Sequence, residues 1–306
     1  MPLSLLASTA LSDSERMPPP PPRRASDSPE LETVMATVST AFHVSADHGQ
    51  LPDLVLVSDD TVQFYVSAAR LHTDNAFAGV LPATGPLIAG LPSAHVPDSA
   101  EVLNIVLHAC YGLSPAAFSP SVATLVAAID RFPAYGLDGK ALLAPATPLH
   151  TLLVAQAPLA PMLVYVAAAR HDAFALAAAS SAYLLSYPLY TITDELAEEM
   201  GPVYLNRLFL LHRRRLDSLK GFLAQAPHPH VEMPTCGFAE QATLTKSWLY
   251  VTACIIMEAQ PDTTASAIES TLYSLMPQLS CMSCKAALKT RIEKLAVDWS
   301  LVGRTI

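Results

Sequence analysis

Residues 53–82 read DLVLVSDDTVQFYVSAARLHTDNAFAGVLP, and this stretch decides the fold of the N-terminal half of the chain. Residues 54–57 form an apolar run, and a polar Ser-Asp-Asp turn follows them. Apolar side chains then recur at every second position, at Val62, Phe64 and Val66, which is the period of a half-buried strand. The stretch therefore predicts a β-hairpin that passes directly into short helical segments.

The sequence on either side of the hairpin divides the chain into three parts. Residues 1–45 include the run Pro18 to Pro22, and this segment buries too little surface to offset the entropy of ordering, so we expect a disordered Pro-rich tail. Residues 50–135 continue from the hairpin with an extended segment and two helices. Residues 136–306 have helical apolar spacing throughout. The predicted fold class is α+β, with a small strand-and-helix unit followed by an all-helical C-terminal domain.

Composition argues against several classes of function. The 306 residues are 51 % apolar and carry a formal net charge of −9, whereas nucleic-acid binders usually carry a basic field. The short basic run at residues 213–215 is interpreted as a solvated helix face. The most apolar region, residues 158–185, is interrupted at Arg170, which leaves each half too short to cross a bilayer. We expect an intracellular protein, cytoplasmic or nuclear, that binds neither nucleic acid nor membrane.

The order of hairpin, short helices, extended strand and two helices resembles that of BTB/POZ domains. The Asp-led strand at Asp53, the sequence FYVS at 64–67 and the sequence NAFAGVL at 75–81 are similar to the signature of these domains. The sequence HVPDSAEVLNIVLHACYG at 95–112 resembles a later segment of the same domain. The helical remainder, with its final Cys-x-x-Cys, is similar to a group of BTB-domain proteins from mushroom-forming fungi.

The resemblance implies a non-enzymatic protein–protein interaction module. The BTB-like unit would dimerise or act as a scaffold, and the helical region would bind a partner. The expected interface residues, which fit the core of the domain equally well, are Leu71, Phe77, Val80 and Leu81. The alternative is a substrate adaptor of a cullin-based ubiquitin ligase. Cullin-recruiting members often carry an apolar-x-Glu element before the third strand, but the loop before Asp98 has no acidic residue here.

Four residues of the C-terminal region have the chemistry of zinc ligands. The segment HPHVEMPTC at 228–236 supplies His230 and Cys236, and the segment CMSC supplies Cys281 and Cys284. A Cys-x-x-Cys at a helix start places two thiolates on one side of the helix. If this helix packs against the one that follows Cys236, three thiolates and one imidazole meet. The alternative is that these are buried thiols and a loop histidine, because the spacing is far longer than that of a zinc finger.

No other motif predicts catalysis or a cofactor. The chain has no Gly-x-Ser-x-Gly elbow, no Walker loop and no Gly-x-Gly-x-x-Gly. A redox role for the Cys-x-x-Cys lacks the strand–helix context of thioredoxin-like motifs. Cys254 and Cys110 fall on apolar helix faces and are expected in the core. We therefore predict no catalytic residue, and a structural zinc ion is the one cofactor considered.

Overall fold

The computed structural model describes residues 37–71, 77 and 85–306, and this part of the chain is a mixed α+β structure in which helices predominate. The coarse fold class predicted from the sequence is therefore confirmed. Most of the predicted tail lies outside the described residues. Strand β1 (Thr37–Val38) and the fully buried Phe42 lie within the segment assigned to the tail. They are ordered because they join the sheet, as the N–H of Ser39 donates to the carbonyl of Gln63 (2.8 Å).

The predicted hairpin is present and forms the centre of the sheet. It consists of β2 (Leu54–Val57) and β3 (Val62–Val66), paired antiparallel. Strand β5 (Leu91–His95) lies parallel to β2, and β1 lies parallel to β3. Strand β4 (Leu87–Ile88) pairs with β5, which gives the order β1-β3-β2-β5-β4. The sequence pattern missed β1 and β4 because a strand of two residues has no detectable period.

The turn of the hairpin is bonded to the first long helix. The Ser58 hydroxyl donates to Asp60 Oδ1 (2.6 Å), and the N–H of Val62 donates back to the Ser58 hydroxyl (3.0 Å). The same Asp60 oxygen accepts from the N–H of Ala100 (2.8 Å), at the N-terminus of the next helix. The Ser58 hydroxyl is the main reason why the pKa of Asp60 is lowered. The polar turn that the sequence predicts is thus also bonded to the start of the helix at Ala100.

The remaining regular elements of the described chain are helices. Ser99 and Ser121 cap the second and third helices with their side chains. From residue 136 onward every regular element is helical, which agrees with the prediction. The α-helices are α1 (Ala68–Leu71), α2 (Ala100–Tyr111), α3 (Val122–Arg131), α4 (Gly139–Leu142), α5 (Pro148–Gln156), α6 (Pro161–Arg170), α7 (Phe174–Ser181), α8 (Asp194–Leu223), α9 (Phe238–Glu258), α10 (Ala265–Tyr273) and α11 (Met282–Ser300).

Two hydrophobic cores share the long helix α8. The first core gathers buried side chains between Phe42 and Leu208, and the second gathers those between Leu219 and Trp299. Helix α8 is kinked at Gly201, whose φ of 69° favours glycine. The first core extends across residue 136, so a domain boundary at that position stays a prediction from the sequence. The second core is built from the C-terminal half of α8 together with α9, α10 and α11.

The structure places two of the four expected interface residues in the first core. Leu71 and Phe77 are fully buried. The N–H of Phe77 donates to the carbonyl of Tyr135 (2.8 Å), and the two rings pack with centroids 4.4 Å apart. These contacts correct the expected interface, because both side chains are used within the chain itself. Val80 and Leu81 lie outside the described residues.

The most apolar segment of the sequence is divided between two helices. Helix α6 ends at Arg170, where the guanidinium pairs with the carboxylate of Asp130 (3.2 Å), and α7 begins at Phe174. Throughout residues 37–71 and 85–306, no helix combines the length and apolarity needed to cross a membrane.

Candidate metal centre

The structure brings together the four residues that the sequence names as metal ligands. Residues 233–236 form a tight turn in which Met233 and Cys236 exchange backbone hydrogen bonds (2.9 and 3.1 Å), and this turn places Cys236 immediately before α9. Cys281 is the N-cap residue of α11, and Cys284 lies in the first turn of that helix. His230 approaches from the loop between α8 and α9.

Their ligand atoms form one cluster in which all pairs lie within 4.8 Å of one another. Nε2 of His230 is 3.3 Å from Sγ of Cys281 and 3.4 Å from Sγ of Cys284. Sγ of Cys236 is 3.6 Å from Sγ of Cys284. Two features of the alternative prediction are also present, since Cys236 and Cys284 are buried thiols and His230 is a loop residue.

Three of the six distances between the ligand atoms are close to the edges of a metal-centred tetrahedron. Zinc binds thiolate sulfur at about 2.3 Å and imidazole nitrogen at about 2.0–2.1 Å. In tetrahedral geometry those bond lengths place two sulfurs about 3.8 Å apart, and a sulfur and a nitrogen about 3.5 Å apart. The observed separations of 3.6, 3.3 and 3.4 Å are within a few tenths of an ångström of these values. A His/Cys₃ cluster of this size can therefore bind a metal ion.

The imidazole of His230 is held in the tautomer that a metal requires. Its Nδ1 lies 2.7 Å from the carbonyl oxygen of Val231. A carbonyl oxygen can only accept, so Nδ1 carries the proton and Nε2 presents its lone pair to the sulfurs of Cys281 and Cys284. Metal-bound histidines usually donate their second N–H to a carbonyl or carboxylate in this way. The hydrogen bond also raises the pKa of His230 above its ordinary value.

The three thiols differ in their readiness to ionise. The nearby backbone N–H of Cys284, in the first turn of α11, is the main reason why the pKa of Cys281 is lowered to about 7. Burial raises the pKa of Cys236 to about 12, and burial also raises that of Cys284. Cys281 is thus the thiolate that forms first. A bound dication would supply the positive charge that favours ionisation of the other two.

The cluster lies at the edge of the second core. Cys236 and Cys284 are 1 % and 4 % exposed, whereas Cys281 and His230 are partly accessible. The neighbouring carboxylate of Glu240 accepts from the N–H of Gly237 (2.8 Å) and so caps α9. An ion could therefore enter from the side of Cys281 and His230, while the two buried thiols anchor it to the core.

The other cysteines considered in the sequence lie away from the cluster. Cys110 is partly buried at the end of α2, and burial raises its pKa to about 12. Cys254 is exposed on the outer face of α9, so its expected place in the core was wrong. The neighbours Thr252 and Ile255 are buried, and Cys254 is turned away from both by the helical rotation of 100° per residue.

No short motif joins the four ligands, since they come from a loop, a turn and a helix start in distant parts of the sequence. The site is therefore defined by its geometry. The chain matches no family model, and it has no significant match among curated proteins or solved structures.

Proposed function

We propose that His230, Cys236, Cys281 and Cys284 bind one zinc ion with a structural role. The observation that carries this proposal is the agreement of the three sulfur and nitrogen separations with a zinc tetrahedron. Three thiolates and one imidazole are a common structural zinc set, and they fill all four positions. Such a closed site leaves no position for a substrate. The ion would fasten the starts of α9 and α11 and the intervening loop into one unit.

Metal analysis of the purified protein tests this proposal. Protein prepared without chelator should contain close to one zinc per chain, and Cys284→Ser should lose it. Cys254→Ser is the matched control, because it removes an exposed thiol outside the cluster. Equal zinc content in both variants would overturn the proposal.

We further propose that the chain is a non-enzymatic protein-interaction module whose N-terminal part resembles a BTB/POZ domain. The resemblance rests on the order of hairpin, extended strand and two helices. The structure has these elements in that order, as the hairpin, β5 parallel to β2, and then α2 and α3, and this agreement supports the proposal. Dimerisation or scaffolding is the role that the resemblance implies.

An apolar stripe on α9 supports an interaction role. Trp248 and Ile255 are buried on the inner face of the helix, whereas Tyr250 and Met257 on the outer face are 73 % and 86 % exposed. Leu249 is also exposed and lies beside them. Aromatic and Met side chains are enriched at protein interfaces, and an amphipathic helix is a common partner for such a face. The stripe is defined as Leu249, Tyr250 and Met257, and we propose that it receives an apolar helix face of a protein partner.

Affinity purification from the native cells tests the interaction role. The comparison is between the unchanged protein, the stripe variant Tyr250→Glu/Met257→Glu, and Val203→Glu as a control on an exposed apolar residue of α8. Partners that use the stripe should be lost from the stripe variant and retained by the control. The same set of partners with all three proteins would contradict the role of the stripe. A cullin among the partners would favour the ligase-adaptor alternative.

A further inference from the structure

A second polar cluster lies beside the metal centre and takes no part in it. Its central residue is Arg291 of α11, which is 7 % exposed. The Nε–H of Arg291 donates to the carbonyl of Gln225 (2.8 Å), and an Nη2–H donates to the carbonyl of Phe222. Phe222 lies in the last turn of α8, and Gln225 follows the end of the helix. Two of the three guanidinium nitrogens therefore cap α8.

The third nitrogen of this guanidinium is unused. Nη1 of Arg291 is buried and has no hydrogen-bond partner in the described part of the chain. Burial lowers the pKa of Arg291, and the more distant Asp298 offsets only part of that effect. No carboxylate among the described residues forms an ion pair with it. A buried cation without an anion is costly, so a negative charge placed near this guanidinium would be favourable.

Arg291 lines a cavity of about 480 Å³. Lys294, Thr290 and His228 contribute further polar groups to its wall. Ala226 and Ala287 add small apolar surfaces. No Asp or Glu is among the described residues that line the cavity, although the whole chain carries a net charge of −9. The wall of the cavity is therefore positively charged, although the molecule as a whole is negatively charged.

We propose that this cavity binds the phosphate monoester group of a small molecule. A phosphate monoester carries a charge of about −1.5 to −2, which the two permanent cations of Arg291 and Lys294 balance. The ammonium of Lys294 can donate charge-assisted hydrogen bonds to the phosphate oxygens, and the hydroxyl of Thr290 is a further donor. The guanidinium of Arg291, whose nitrogens are bonded to backbone carbonyls or shielded from solvent, contributes its charge. The cavity volume falls in the range of about 300–1,000 Å³ that is usual for small-molecule sites, so it has room for an organic substituent. The site does not require zinc.

Calorimetric titration tests the proposal with inorganic phosphate and phenyl phosphate as probes and chloride at matched ionic strength as the reference. We expect saturable binding with a Kd of about 1 mM or lower, and tighter binding of phenyl phosphate. Arg291 is left unchanged because it caps α8. Lys294→Gln should weaken binding about fivefold, and Thr290→Glu should abolish it by placing a like charge in the cavity.

Lys289→Gln is the matched control for this experiment. Lys289 is exposed on the same helix, pairs with Glu293 and is not part of the cavity wall. Its replacement should leave the affinity unchanged. Equal losses in Lys289→Gln and Lys294→Gln would mean nonspecific attraction and would overturn the site. No saturable binding of either probe would also overturn it, and equal affinity for both probes would overturn the assignment of an organic phosphate ester.

Discussion

The guanidinium of Arg215 lies over the indole ring of Trp299, with its Cζ 4.2 Å from the ring centroid. Arg215 is buried, its Nε–H donates to the carbonyl of Pro261 (2.6 Å), and its Nη1 donates to the carbonyl of Val302 (2.8 Å). One side chain of α8 thus holds the loop before α10 and the segment after α11. The sequence suggested a solvated face for residues 213–215, and the structure corrects this for Arg215.

Arg215→Met should destabilise the second core. The substitution removes the stacked cation and leaves the carbonyls of Pro261 and Val302 without their donors, which we expect to lower the free energy of unfolding by about 3 kcal/mol. Arg214→Met is the control, because Arg214 is the exposed neighbour in the same helix. Urea unfolding followed by circular dichroism measures both. A loss of similar size in Arg214→Met would show that helix charge, and not the buried contact, is responsible.

Removal of the proposed zinc should lower the melting temperature of the unchanged protein. An ion that binds only the folded chain stabilises it by about 4 kcal/mol when its free concentration is a thousand times its Kd. We expect EDTA to lower Tm for the unchanged protein and for Cys254→Ser. Cys284→Ser should start with a lower Tm and respond little to EDTA. A Tm of the unchanged protein that does not respond to prolonged chelation would contradict a structural metal.

Stability should fall as the solution is acidified through pH 6.5, partly because of two buried histidines. The Nε2–H of His212 donates to the carbonyl of Leu184 (2.9 Å), and the Nδ1–H of His108 donates to the carbonyl of Asn104 (2.7 Å). Burial lowers the pKa of both rings from the ordinary value of 6.5. Below that value the unfolded chain binds protons that the folded chain excludes, so stability is lost until the pH reaches the lower folded pKa.

Urea unfolding at about pH 7.5 and about pH 5.5 measures this dependence. His212→Gln removes one of the two groups and should show a smaller loss of stability between the two conditions than the unchanged protein. An equal loss in both proteins would mean that His212 does not contribute.

Phe77 should behave as a core residue and not as a contact for a partner. Phe77→Ala leaves a cavity beside Tyr135 and should lower the free energy of unfolding by about 3–5 kcal/mol. Phe118→Ala is the control, because Phe118 is partly exposed and should cost much less. Chemical denaturation gives both values. A Phe77→Ala protein of unchanged stability that loses self-association would restore the interface predicted from the sequence.

Local chemistry explains which features were predictable. The hairpin follows from the alternation of Val62, Phe64 and Val66, because this signal acts over a few residues. The four residues of the cluster could be named from their residue types and from the position of the cysteines at helix starts.

Features that depend on distant parts of the chain were not predictable. Arg215 is buried because backbone carbonyls from residues 261 and 302 reach it, and nothing near it in the sequence encodes those partners. Cys254 was predicted on the buried face of α9 but lies about a quarter-turn of helix away from it. Its apolar neighbours in the sequence do not distinguish these two orientations. The cavity beside Arg291 arises only where the end of α8 meets α11.

The spacing of the four metal ligands has a consequence for the order in which the molecule is made. His230 and Cys236 emerge early, but the ring through the ion cannot close until α9, α10 and the first turn of α11 have been synthesised. The four proposed ligands are therefore all present only after the first turn of α11 has been synthesised. Binding of an ion by the complete set would mark that point in biosynthesis.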